Sequence, residues 1–191
     1  MSDWQSRLTT VLEPLLLQRD PRPQISAYHD MPYAIFRYPP QAEFALRGEL
    51  RLLCTRMEQA GKRVTIISLA ECLMEALTQT LPLDELIAAE QSMGLALTIE
   101  TVHTVLSEYQ PLYELVAARL PTPVDPLVDN VFIIRAGALY PVYRTSSLLE
   151  QLKGLVHVPS VLFYPGDLDG AAGLRFMGVL DAEHNYRPKI F

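Results

Sequence analysis

Tyr33-Ala-Ile-Phe-Arg-Tyr-Pro-Pro40, followed further on by Val64-Thr-Ile-Ile-Ser-Leu69, is the stretch from which the fold is read. Both runs are rich in β-branched and aromatic residues, and the first is closed by two prolines, which cannot donate to a sheet ladder. Between them, Gln41 to Ala60 reads as one helix. Phe44, Leu46, Leu50, Leu53, Cys54 and Met57 recur there at three- and four-residue spacing, and Gly61 stands at the expected C-terminal stop. Strand, helix and strand make a βαβ unit, whose strands should be parallel and whose crossover should be right-handed.

Working outward, Val131–Ala136 and Ser160–Tyr164 are two more apolar runs, joined by a helix from Thr145 to about Val156, which gives a second βαβ unit. Nine residues separate Tyr164 from Leu174. A parallel crossover needs at least about 10–12, so the Leu174–Gly178 run is expected to return antiparallel, at an edge. Residues 70–120 read as a helical insertion. Ser68 or the residue after it is placed to cap a helix holding Leu73, Met74 and Leu77, and Pro82 lies near the start of one holding Leu83, Leu86 and Ile87. Thr98 opens a third, with Ile99, Val102, Val105, Leu106 and Tyr109 as its stripe. It is interrupted by Pro111 and ended by Pro121 and Pro123. The chain begins with an amphipathic helix carrying Trp4, Leu8, Val11, Leu12, Leu15 and Leu16, which Pro14 should bend or divide. With 191 residues and 49% hydrophobic content, one domain over residues 1–191 is expected. Its class is α/β: a mainly parallel sheet with helices on both faces, Rossmann-like or degenerate P-loop-like, with an antiparallel edge strand near the C-terminus.

The net charge of −6 is unevenly spread. Residues 1–70 carry nine Lys/Arg against seven Asp/Glu, residues 71–129 one against ten, and residues 130–191 six against five. An acidic middle block repels phosphate backbones, so autonomous duplex-DNA binding is not expected. Thirteen of the sixteen basic residues are Arg, which suits protein contacts. Cys54 and Cys72 lack C-x-x-C spacing and read as core thiols. His29, His103, His157 and His184 stand apart, so no metal ligand set is visible and no cofactor is expected. Without a basic leader or a run of about 18 apolar residues, the chain is expected to be soluble and cytoplasmic, with no membrane partner.

In open α/β sheets, ligands bind outside the carboxyl ends of the strands. Tyr38-Pro-Pro40, Arg135 with Gly137-Ala-Leu-Tyr140, and Tyr164-Pro-Gly166 all map to that edge and should converge. The candidate ligand or partner edge is therefore Tyr38, Arg135, Tyr140, Arg144, Tyr164, Asp167 and Asp169. Arg144, beside Thr145, Ser146 and Ser147, either holds an anion at a helix start or caps the helix and forms an ion pair. Asp167 and Asp169 either hold a divalent cation or fix a turn through Asx hydrogen bonds. Tyr38, Tyr140, Tyr143 and Tyr164 either rim a ligand or close the core. The first strand leads into two prolines where a nucleoside triphosphatase carries G-x-x-x-x-G-K-[ST]. There is no G-x-S-x-G, no G-x-G-x-x-G and no Cys/His nucleophile arrangement. No catalytic residue is nominated, and the chain is not expected to be an enzyme.

With these residues in view, the chain resembles the BrxB family, small components of the BREX bacteriophage-exclusion systems. The likeness runs in order through Tyr33-x-Ile-Phe-x-Tyr-Pro-Pro40, Val64 to Leu69, and Val131-Phe-Ile-Ile-x-x-Gly-Ala-x-Tyr-Pro-x-x-Arg144 with Leu148-Leu149. It continues through Val158-Pro-x-Val-Leu-Phe-Tyr-Pro-Gly166, Leu174-x-Phe176 and Asn185-Tyr-Arg187. The chain departs from the family pattern at Arg135-Ala136, where members often have Thr-Gly, and at Arg187-Pro188, where Arg-Ala is common. The resemblance implies a role in phage defence within a complex that includes a DNA methyltransferase, a large ATPase and the alkaline-phosphatase-like PglZ. It supplies no catalytic activity and hence no active site. The resulting expectation is a non-catalytic adaptor that bridges larger BREX proteins, PglZ first and the ATPase second. A small-anion or nucleotide-binding domain with weak or cryptic hydrolytic activity, using Arg135, Arg144 and the two Asp residues, is the alternative. A third reading is DNA contact within the assembly through Arg135 and Arg144.

Overall fold

A computed structural model of the chain describes residues 2–25, 32–170, 173–183 and 188–191. Among them, six strands form the sheet: β1 (Tyr33–Tyr38), β2 (Arg63–Ser68), β3 (Asp129–Ile134), β4 (Ser160–Asp169), β5 (Gly173–Phe176) and β6 (Lys189–Ile190). The spatial order is β2-β3-β4-β1-β6, parallel throughout, and β5 pairs antiparallel with the far half of β4. The α/β class, the mostly parallel sheet and the antiparallel return are as the sequence led us to expect.

Pleating divides the core into two layers, because successive side chains of a strand point to opposite faces. Tyr33, Ile35, Val131, Ile133, Leu162 and Tyr164 point to one face. Ala34, Phe36, Tyr38, Phe132, Val161 and Phe163 point to the other. The first set is covered by α5 (Leu69–Thr80), α6 (Leu83–Met93), α7 (Leu95–Thr104), α8 (Leu112–Ala117) and α9 (Thr145–Gln151). The second is covered by α1 (Asp3–Arg7), α2 (Glu13–Leu16), α3 (Arg22–Ile25) and α4 (Glu43–Gln59). Two-sided burial explains why the inner strands read as unbroken apolar runs rather than as alternating ones.

Local chemistry sets the element ends. Ser68 accepts the Glu71 N–H at 3.3 Å and starts α5 as foreseen. Gly61, at φ 83°, supplies the left-handed turn after α4. At Pro14 the helix widens instead of breaking. A π-helical turn over Leu8–Leu12 leads directly into α2, which absorbs the missing N–H and the bulk of the ring.

Several expected boundaries move. Phe44 belongs to the three- and four-residue spacing of α4 but is 80% exposed, with the Arg47 guanidinium 5.0 Å from its ring centre. It lies off the Leu46, Leu50, Leu53, Met57 line that faces the sheet. The third helix of the insertion opens at Leu95, not Thr98, because Gly94 at φ 88° ends α6 immediately before it. Helix α9 stops at Gln151, short of Val156, and Gly154 at φ 77° lies in the turn that follows. Strand β4 runs five residues beyond Tyr164, because β5 offers it a partner from Gly166 to Asp169. Strand β6 was not foreseen: two residues carry no periodicity to detect. The Asn185-Tyr-Arg187 motif, His29 and His184 lie outside the described residues.

Candidate functional site

The connections at the carboxyl edge define a switch point. The chain leaving β1 crosses the face covered by α4, whereas the chains leaving β2 and β3 cross the opposite face through α5–α8 and α9. Strand β4 emerges between β1 and β3, where ligands bind in sheets of this kind. Here β4 continues past the edge and folds back as β5, so the chain's own hairpin fills the crevice. Met177 donates its N–H to the Pro165 carbonyl at 2.8 Å, and the Phe176 ring lies 5.2 Å from the Tyr164 ring and 6.2 Å from that of Tyr140. The short helix Ala136–Leu139 closes the other side, with Ala136 and Leu139 fully buried. A Cβ on Gly137 would meet the Met177 Sδ at 3.3 Å and Pro165 Cγ at 3.5 Å, so the helix and hairpin pack in direct contact.

Each candidate residue has a definite place along this edge. Tyr38 is fully buried and donates its hydroxyl to the Glu43 carboxylate, which also takes the Arg47 Nε at 2.9 Å. Burial, and then Glu43, push the phenol's ionisation far up. Tyr164 is equally buried, Tyr143 nearly so, and Tyr140 is half-buried against Phe176. Arg144 is exposed and donates to the Glu183 Oε1 at 2.7 Å. Arg144 precedes α9 without a capping hydrogen bond from its side chain, and its ion pair is with Glu183. Asp167 and Asp169 lie two residues apart on β4, on one face of the hairpin and opposite β5. Arg175 stands across from Asp167 and donates to Asp169 at 3.3 Å. They sit in a ladder, not in the turn the sequence suggested. Among the described residues, no three His, Cys, Asp or Glu side chains gather as a metal-binding group. Arg135 adopts φ 60°, ψ 36° at the start of the short helix, and makes no ion pair among the described residues. It occupies the left-handed region, uncommon for a residue with a Cβ.

Two features escaped the sequence reading. Arg37 is a cation near the end of β1, half-buried and without an ion pair among the described residues. Burial, and then the nearby Arg7 charge, push it below the ordinary arginine value. Its signal was a lone Arg inside an otherwise apolar strand. The second feature is the outer surface of the helical insertion. Leu86 is the buried residue of α6 and Val102 that of α7, while Met93 and Leu95 are each 61% exposed and Ile87 is open to solvent. From Leu69 to Ala117 the sequence has eight carboxylates and no Lys or Arg. The expected apolar stripes exist there, but a large part of them does not enter the core.

Among the described residues, no helix is long and apolar enough to cross a membrane. No solved structure matches the chain. The chain is 26% identical over 161 residues to a BREX protein BrxB of Bacillus cereus (strain H3081.97), a match that covers 83% of this chain and 82% of that protein. The family model described as BREX protein BrxB matches residues 65–190, which span β2 to β6 and so include the hairpin, the short helix and the acidic insertion. The chain belongs to the BrxB family.

Proposed function

We propose that this chain is a non-catalytic adaptor in a BREX antiphage defence complex, bridging larger BREX proteins through the outer surface of α5–α8. PglZ is the first partner and the BREX ATPase the second. The observation that carries the reading is the layer's surface, where exposed Leu, Ile and Met side chains stand among carboxylates with no Lys or Arg between Leu69 and Ala117. Apolar surface of this kind, rimmed by polar groups, marks protein contact sites. The filled crevice at the switch point supports the same reading, since its Tyr side chains pack into the core and Arg144 and Asp169 are paired. The same acidic field argues against autonomous duplex-DNA binding. The test is purification with and without co-expressed PglZ and ATPase. Stable co-elution at micromolar concentration is expected, and the absence of any co-eluting BREX protein rejects the reading.

A second reading, a small-anion or nucleotide site with weak hydrolytic activity, draws on Arg37 and Arg135, two cations near the carboxyl edge without ion pairs among the described residues. A thermal-shift series with nucleotides and Mg²⁺ separates it from the first. Ligand at about 100 times its Kd adds ~2.7 kcal/mol of stability. No shift across the series removes this reading and leaves the adaptor intact.

A further inference from the structure

A groove of about 430 Å³ crosses the helical layer, bounded by the end of α5, by α7 and by the π-helical turn Val105–Tyr109 that continues it. Leu81, Leu97, Val105 and Tyr109 supply apolar walls, with Leu97 41% and Tyr109 64% exposed. Three threonines complete the lining, and each donates its hydroxyl to the carbonyl four residues back. Thr80 donates to Ala76 at 2.8 Å, Thr101 to Leu97 at 2.8 Å and Thr104 to Glu100 at 3.0 Å. Their donors are spent inside their own helices, so the groove is apolar in character despite its composition.

The rim is of one sign. Glu100 lines the groove, and Glu108 precedes Tyr109 on the π-helical turn. Neither forms an ion pair among the described residues, and the same holds for Asp84, Glu85 and Glu90 on the neighbouring α6. Glu75 on α5 is the carboxylate of this layer that is neutralised, by Arg119. An apolar trough between helices with an uncompensated acidic border has a definite complement: an amphipathic helix with an apolar stripe flanked by Lys and Arg. A second copy of this chain would bring the same negative rim to the contact and be repelled, and nucleic acid would be repelled by the same field.

We infer that the groove between α5 and α7 is the docking site for a basic amphipathic helix of the partner. The inference rests on the adaptor reading and specifies its surface and the chemistry of its ligand.

The probe is a labelled synthetic peptide of about 18 residues, roughly five helical turns, with Leu at i, i+3, i+4 and i+7 and Lys or Arg elsewhere. Two controls accompany it: the same composition with the stripe scrambled, and the same stripe with Glu replacing the basic residues. Binding to the full chain is read by fluorescence anisotropy. The basic amphipathic peptide binds, the scrambled one binds at least about tenfold more weakly, and the acidic one does not bind. Leu97→Lys and Tyr109→Ala each weaken binding by about tenfold or more at unchanged melting temperature, whereas Val179→Ala, exposed but outside the insertion, leaves it unchanged. Absence of binding, equal binding of the scrambled peptide, or full binding by both variants overturns the inference. The same two variants are then co-expressed with the BREX proteins. Loss of the partner from both supports the groove. Retention of the partner by both overturns the groove while the adaptor reading stands, and failure of the unmutated chain to hold any BREX protein removes the adaptor reading itself.

Discussion

Gly166 lies diagonal to Arg175 in the β4–β5 ladder, one step from its own partner Phe176, and the Arg175 carbonyl oxygen occupies the space a Cβ on Gly166 would need. The Tyr164 ring closes the other side, with its nearest carbon 2.6 Å from that position. The hairpin that fills the switch point therefore exists at this register because residue 166 has no side chain. Gly48, inside α4, is the opposite case, with nothing within 4 Å of its Cβ position.

Gly166→Ala is expected to destabilise the chain by roughly 1–3 kcal/mol, through overpacking against the β5 backbone. Gly48→Ala is expected to stabilise it by about 0.5–1 kcal/mol, because an unstrained helical site gains the propensity of Ala. Thermal unfolding of the two variants should move in opposite directions, by about 2–4 °C per kcal/mol for a chain of this size.

Acid should weaken the junction of β2 and β3. Arg63 donates to both Asp129 oxygens, at 2.7 and 3.0 Å, and the Asp125 N–H adds a third bond at 2.8 Å. The Arg63 guanidinium holds the buried Asp129 carboxyl below its ordinary value. A carboxylate depressed on folding contributes stability that is complete above its unfolded value, near ~3.9, and is lost as pH falls through the folded value. Asp129→Asn is expected to cost about 1–2 kcal/mol near neutrality. The gap from the unmutated chain, measured by urea unfolding, should narrow steadily below about pH 4.

Tyr38→Phe removes a buried hydroxyl from Glu43 and should cost about 0.5–1.5 kcal/mol in equilibrium unfolding. In alkaline spectrophotometric titration, Tyr38 should stay protonated until the chain unfolds, because burial penalises the phenolate before any other influence. Full ionisation of every tyrosine in the folded state contradicts this placement.

Cys54 and Cys72 are both buried. Burial, with Glu58 adding to it, pushes the Cys54 thiol up to about 11, and burial raises Cys72 as well. Neither presents thiolate at neutral pH. A disulfide reagent should react with the native chain at least about a hundredfold more slowly than with the denatured chain, at a rate set by opening.

How much was legible depended on how local each signal was. The strand, helix, strand order could be read because Tyr33–Tyr38 and Val64–Leu69 are β-type runs separated by a helix that Gly61 stops. The antiparallel return of β5 followed from linker length. Strand order could not be read, since β1 enters between β4 and β6 through pairings distant in sequence. At the candidate edge, composition showed that Tyr and Arg gather at strand ends, but not that the hairpin would bury Tyr164 or that Glu183 would take Arg144. The insertion misled for a physical reason. Helical periodicity reports that a face is apolar, not whether that face meets the core, and Ile87, Met93 and Leu97 remain outside it.

The two apolar layers share a backbone sheet and are otherwise assigned to separate residue sets. Damage on one side should therefore be additive with damage on the other. Leu50→Ala and Leu106→Ala, on opposite faces, should combine to within about 0.5 kcal/mol of their sum. For engineering, a tag or fusion belongs on the outer side of α1–α4, which leaves the acidic face of α5–α8 open to its partner.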